Sequence, residues 1–197
     1  MPRVRLKVSG ITTLEEARIA VEAGADAIGL DPLRFATTGM TPDEAIAEIA
    51  LSLPPAVTAV VQTRALTAGA VAQQVDAGAA TAVQLMRPLP ASEYPGLKRI
   101  IRGRKIIQSI KPEQAQALEL AAACAEFADA VHLPLVAFEN LPRCRQIAEI
   151  CRQPVFLGLV EPERLSREIA DFRPFAIDVV TPGGSRLFDP AFLAKLA

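Results

Sequence analysis

The chain has 197 residues, 51% of them hydrophobic and 22% charged, with a formal net charge of −1. That length and apolar content support one substantial core, and the near-neutral charge excludes the basic footprint of a nucleic-acid or anionic-membrane binder. No apolar run approaches a membrane span and no cleavable leader follows Met1, so a cytoplasmic location is expected; three cysteines and a single histidine fit no metal-ligand spacing, so no metal is expected either.

In chain order, short apolar runs rich in β-branched residues alternate with helical stretches. The strand candidates are "RVRLKV" from Arg3, "DAIGL" from Asp26, "AVTAVVQ" from Ala56 and "TAVQL" from Thr81. They continue with "RKIIQSI" from Arg104, "DAVHL" from Asp129, "PVFLGL" from Pro154 and "FAIDVV" from Phe175. Runs of this kind suit strands buried on both faces of a parallel sheet.

Helix starts are marked between them. Thr12 with Glu15 is read as a capping box, with Leu14, Ala17 and Val21 on the buried face of the helix that follows. "TPDE" from Thr41 supplies a cap and a proline at the first helical position, and Pro112, Pro162 and Pro190 are read in the same way. Gly24 and Gly78 mark helix ends, and Gly69 weakens the helix around residues 69–75. Pro95 predicts a short or irregular helix near residues 92–99. Cys144 and Cys151 fall on one helix about 10 Å apart, too far to bridge, and all three cysteines read as buried apolar groups.

Strict alternation through the whole chain favours a single-domain (βα)8 TIM barrel over residues 1–197. Functional groups of such a barrel sit after the strands. That gathers Ser9, Asp31, Arg34, Arg64, Arg87, Lys111, Glu161 and Ser185 around one mouth, where Arg34 and its fellow cations could focus a small anionic ligand. Lys7 and Asp178 have inward parity. They read either as a substrate-facing polar pair or as a buried pair near the barrel floor.

The tract "LKVSGITTLEEARIAVEAGADAIGL" resembles the opening of phosphoribosylanthranilate isomerases, which reads KICGIT, then a helix, then a GADAxGF strand. "LPP" from Leu53, "AVQL" from Ala82, "PVFLGLVEPERL" and "RPFAIDV" follow in the family's order, so the resemblance spans nearly the whole chain. It implies a (βα)8 barrel and an Amadori rearrangement of a phosphorylated aminosugar in tryptophan biosynthesis, without cofactor or metal. It also implies where the machinery should be. The base cysteine of KICG is Ser9, and the acid aspartate ending the sixth strand is Pro134. The carboxylate-holding arginine is Thr38, and the histidine of VQLHG is Met86.

In the phosphate loops Gly158 stays, but Leu159 and Glu161 replace a glycine and an asparagine. "VTPGG" replaces the eighth-strand SSG, leaving Gly183, Gly184 and Ser185, beside Arg186, as a different backbone nest. Gln84 matches the family's inward glutamine. His132 shares Pro134's parity one layer deeper, where a contact with Ser9 across the lumen is conceivable but lacks an orienting acid.

The leading expectation is a divergent family barrel without the standard isomerase activity, binding a small anionic metabolite, a phosphorylated one among the candidates. The alternatives are an active isomerase with a rearranged site, and a non-catalytic scaffold or interaction protein. Ser9, His132 and Asp178 are the catalytic candidates; Lys7, Arg34, Gln84, Gly158, Gly183, Gly184 and Ser185 are the ligand-binding ones. Monomer and homodimer remain open. An enclosed polar pocket between Ser9, Gln84, His132 and Asp178 would favour a ligand, and packed side chains a scaffold.

Overall fold

The computed structural model describes residues 4–35, 42–135, 138–159 and 172–180. Its strands are β1 (Arg5–Ser9), β2 (Ala27–Leu30), β3 (Thr58–Thr63), β4 (Ala82–Leu85), β5 (Lys105–Ser109), β6 (Ala130–Leu135), β7 (Val155–Leu159) and β8 (Ala176–Val180). Each pairs in parallel with the next, and β8 pairs with β1, closing the barrel. All eight expected strands are present in order. The described helices are α1 (Leu14–Glu22), α2 (Pro42–Ser52), α3 (Ala68–Ala77), α4 (Tyr94–Ile100), α5 (Ala117–Phe127) and α6 (Leu141–Cys151). The helix starts expected at Pro162 and Pro190, the Thr41 cap, and Thr38, Glu161, Pro182, Gly183, Gly184, Ser185 and Arg186 lie outside the described residues.

Alternation along each strand divides the apolar residues into two sets. Leu6, Val8, Ile28, Leu30, Val61, Val83, Leu85, Ile106, Val131, Leu133 and Leu157 face the helices and form the main core with them. Ala27, Val60, Ala82, Ile107 and Ala130, with Phe156 against them, form a separate small cluster in the barrel interior. Burying an aliphatic side chain contributes roughly 1.5–3 kcal/mol, so the larger set dominates stability. One step further along the same inward positions the side chains turn polar.

Local corrections follow from geometry. The α1 cap is Thr13, not Thr12: Thr13 Oγ1 accepts from Glu16 N at 3.1 Å, while Thr12 N, Thr12 Oγ1 and Thr13 N all donate to Glu16 Oε2. The box is therefore Thr13 with Glu16, one residue past the expected pair. Of the expected buried face, Ala17 is buried and is joined by Ala20, Val21 is half-buried and Leu14 is 43% exposed. Pro112 does not start a helix. The chain turns first, with Gln114 N donating to Lys111 O, and α5 begins at Ala117. α4 is short, seven residues entered through a 3-10 turn over Ala91–Glu93, as Pro95 predicted. Gly24 follows the α1 cap and Gly78 caps α3. Cys124, Cys144 and Cys151 are free and buried.

Candidate active site

The polar inward positions meet in one hydrogen-bonded ring across the lumen. The register sets Lys7 beside Asp178, Gln62 beside Gln84, and Ser109 beside His132, so the ring follows from strand pairing. Lys7 Nζ donates to Asp178 Oδ2 at 2.6 Å and to Ser9 Oγ at 2.5 Å, and Ser9 Oγ donates to Asp178 Oδ1 at 2.7 Å. From Gln62 Nε2 one N–H reaches Ser9 Oγ at 3.3 Å and the other Gln84 Oε1 at 3.2 Å. Gln84 Nε2 donates to Ser109 Oγ at 3.0 Å, and Ser109 Oγ lies 3.3 Å from His132 Nδ1. His132 Nε2 closes the ring 3.0 Å from Asp178 Oδ2, near in distance but off the hydrogen-bond line, so this last contact is chiefly electrostatic.

The donors have a direction. Gln62 feeds two arms, one through Ser9 and one through Gln84, Ser109 and His132, and both end on Asp178. With its Nδ1 accepting from Ser109, His132 is assigned the tautomer carrying its proton on Nε2, toward the carboxylate.

Lys7 and Ser9 are 1% exposed and Asp178 is 0%. Such a pair is tolerable only because each charge faces its partner and further hydrogen bonds. Burial by itself would raise the proton affinity of Asp178. The Lys7 ammonium and the His132 imidazole outweigh it and hold the carboxyl well below the usual carboxylate range.

Two glycines make the room. A Cβ on Gly29 would overlap Ser9 Oγ and stand 3.1 Å from Lys7 Nζ; one on Gly158 would stand 2.7 Å from His132 Nε2. Gly158 thus seats the imidazole.

Of the sequence-predicted site residues, Lys7, Ser9, Gln84, His132 and Asp178 converge in this ring. Ser9 is not on the rim but inside the ring. It meets His132 through Asp178, on the carboxylate's two oxygens, so a carboxylate does stand beside the imidazole, between it and the hydroxyl. Gln62 and Ser109 went unnoticed, although both share the inward parity of their strands. The space between Ser9, Gln84, His132 and Asp178 is filled by side chains.

Above the ring, Arg64 grips Asp31 through both guanidinium nitrogens at 2.9 and 3.1 Å, and Asp31 also caps a 3-10 turn over Pro32–Arg34. Arg34 is half-buried at the end of that turn, while Arg87 and Lys111 are exposed beyond β4 and β5. A separate groove of about 620 Å³ lies on the outside between α4 and α5, and no ring residue lines it. Among the described residues no helix is long and apolar enough to cross a membrane, and no cluster of three or more His, Cys, Asp or Glu could hold a metal.

No family model matches the sequence. Among curated proteins, the N-(5'-phosphoribosyl)anthranilate isomerase of Methanocella arvoryzae is 31% identical over 185 residues, covering 89% of this chain and 86% of the relative. The chain belongs to the phosphoribosylanthranilate isomerase family. The Pseudomonas fluorescens isomerase is 30% identical over 202 residues, covering 97% and 92%. Solved phosphoribosylanthranilate isomerases share the barrel. The Thermotoga maritima enzyme superposes with a TM-score of 0.77 at 23% identity over 98% of this chain and 97% of its own. An isomerase in complex with reduced 1-(o-carboxyphenylamino)-1-deoxyribulose 5-phosphate superposes at 0.76 with 24% identity, covering 97% and 96%.

The resemblance sets Ser9 against the family's base and Pro134, on β6, against its acid. Pro134 is half-buried and has neither a side-chain proton nor an N–H to offer. The three cysteines lie outside the ring, in the core shared with the helices, where burial pushes the Cys124 and Cys144 thiols up to about 12 and raises that of Cys151.

Proposed function

We propose that this barrel does not perform the Amadori isomerisation for which its relatives are named, and that it binds a small anionic, phosphorylated metabolite at its carboxyl-terminal mouth. One observation carries the first half. The hydroxyl in the base position accepts from Lys7 and Gln62 and donates to Asp178, so both lone pairs and its proton are engaged. A serine hydroxyl ionises far too weakly to remove a proton from carbon without a competent base beside it. Asp178 is the adjacent base, and its depressed proton affinity makes it a poor one.

The packed lumen weighs toward the scaffold alternative for the deep interior, and it confines a ligand to the space above the ring. There the least deeply buried members, Gln62, Ser109 and His132, at 6%, 7% and 5%, form a polar floor under a rim carrying Arg34, Arg87 and Lys111. The name of the ligand in the complexed relative supports an anion that combines a phosphate and an aromatic carboxylate.

Calorimetric titration with that reduced deoxyribulose phosphate tests the binding half. Saturable heat, weakened by Arg87→Ala combined with Lys111→Ala, is expected. No heat at millimolar ligand, from protein shown to be folded, contradicts it and leaves the scaffold reading. Rescue of a tryptophan auxotroph lacking the isomerase would contradict the first half.

A further inference from the structure

The ring contains an arrangement that the family resemblance does not call for. Ser9, Asp178 and His132 run in the order hydroxyl, carboxylate, imidazole, which cannot relay a proton away from the hydroxyl. On the other side the order is Ser109, His132, Asp178: Ser109 Oγ lies 3.3 Å from His132 Nδ1, and His132 Nε2 lies 3.0 Å from Asp178 Oδ2 in an electrostatic contact off the hydrogen-bond line, so here the imidazole is in the middle. That is the connectivity by which a histidine removes a serine proton while a buried carboxylate faces the imidazolium that forms. The separation of 3.3 Å is within the range that tightens when substrate binds.

Three further features support a reactive Ser109. It is the last residue of β5, at the barrel end where enzymes of this fold keep their chemistry. It retains 7% exposure, against 1% for Ser9. Its cover is Met86, half-buried, with Sδ 3.8 Å from Ser109 Oγ, a flexible side chain able to swing aside. The only other described charge facing His132 across the ring, Lys7, is engaged by Asp178 and Ser9.

We propose that Ser109 is a nucleophile, with His132 as its base and Asp178 as the positioning residue, in an acyl-transfer site for small carboxylic esters. Ser109 Oγ adds to the ester carbonyl carbon as its proton moves to His132 Nδ1. Gln84 Nε2, which donates to Ser109 Oγ at 3.0 Å, is the N–H donor assigned to the carbonyl oxygen on which charge develops. Collapse breaks the bond to the leaving alkoxide, which takes the proton from His132. Water then repeats the sequence on acyl-Ser109, releasing the carboxylic acid and restoring the hydroxyl. The walls formed by Gln84, Met86 and His132 restrict the acyl group to a small one.

Labelling of the wild-type protein with a small alkyl fluorophosphonate, followed by mass spectrometric mapping, tests the nucleophile. An adduct on Ser109 is expected; no adduct, or one on Ser9 instead, overturns the proposal. For the relay, His132→Gln in folded protein should slow labelling about 100-fold, the scale of general-base assistance, and an unchanged rate overturns it. If His132→Gln does not fold, the wild-type labelling rate against pH decides: a rise with deprotonation of one group supports the relay and a flat profile overturns it. Ester hydrolysis does not depend on the anion-binding proposal, because the fluorophosphonate probe is neutral.

Discussion

At the scale of single residues, the lumen is a problem in electrostatics. Lys7 and Asp178 are both removed from water, so each depends on the other. Asp178→Asn removes the counter-charge and leaves the ammonium buried, which is expected to cost about 3–5 kcal/mol in urea denaturation. Replacing both, as Lys7→Met with Asp178→Leu, is expected to cost far less than the single change, because no uncompensated charge remains. The same pair sets a pH dependence. The folded-state pKa of Asp178 lies below that of an unfolded aspartate, about 3.9. Its stabilising contribution is therefore complete above about pH 5 and is lost as pH falls through the unfolded value toward the folded one. Unfolding free energies measured from pH 6 to pH 2 should show that loss, and in Asp178→Asn the corresponding slope should be missing.

At the scale of elements, the first helix depends on a cap one residue from where spacing alone put it. Thr13→Ala should cost about 1 kcal/mol in the same denaturation assay, with Thr12→Ala costing less, since Thr13 alone accepts a helical N–H. The reason for the offset is that two consecutive threonines precede two consecutive glutamates, so both registers satisfy the pattern and only geometry separates them. Strands were the most legible elements, because eight apolar runs bounded by polar or glycine residues allow little else. Pro112 misled because a proline suits a turn as well as a helix start, and here a turn intervenes before Ala117. The ring was half legible. Lys7, Gln84, His132 and Asp178 were found by parity or by resemblance. Gln62 and Ser109 obey the same parity, each standing two residues beyond an inward apolar residue, Val60 and Ile107. What parity cannot supply is which donor faces which acceptor, and that decides whether Ser9 is a base or a saturated link.

At the scale of the whole molecule, the closed barrel holds two interiors. The shell between strands and helices is mainly apolar, its buried polar groups Gln108 and Thr63 being bonded to Tyr94 and Gln74 of the helices, and it includes the three cysteines. With thiol pKa values pushed up by burial, none should react with a disulfide reagent such as Ellman's at pH 8 until the protein unfolds; one rapid equivalent in native protein would show a thiol in contact with solvent. The lumen is apolar at its floor and polar toward the mouth, and its polar layer is closed on itself. The family's barrel is kept, and on the proposed reading the proton-transfer groups at the family's positions are engaged or absent. On that reading Pro134 removes a second group, beyond the one atom at position 9, so a thiol alone, as Ser9→Cys, is expected not to give isomerisation.

The most direct test of the account is turnover of N-(5'-phosphoribosyl)anthranilate by the purified, folded protein, followed by chromatographic separation of substrate and product. The account predicts no conversion above the uncatalysed background for the wild-type chain or for Ser9→Cys. Enzyme-dependent conversion that scales with protein concentration would contradict it.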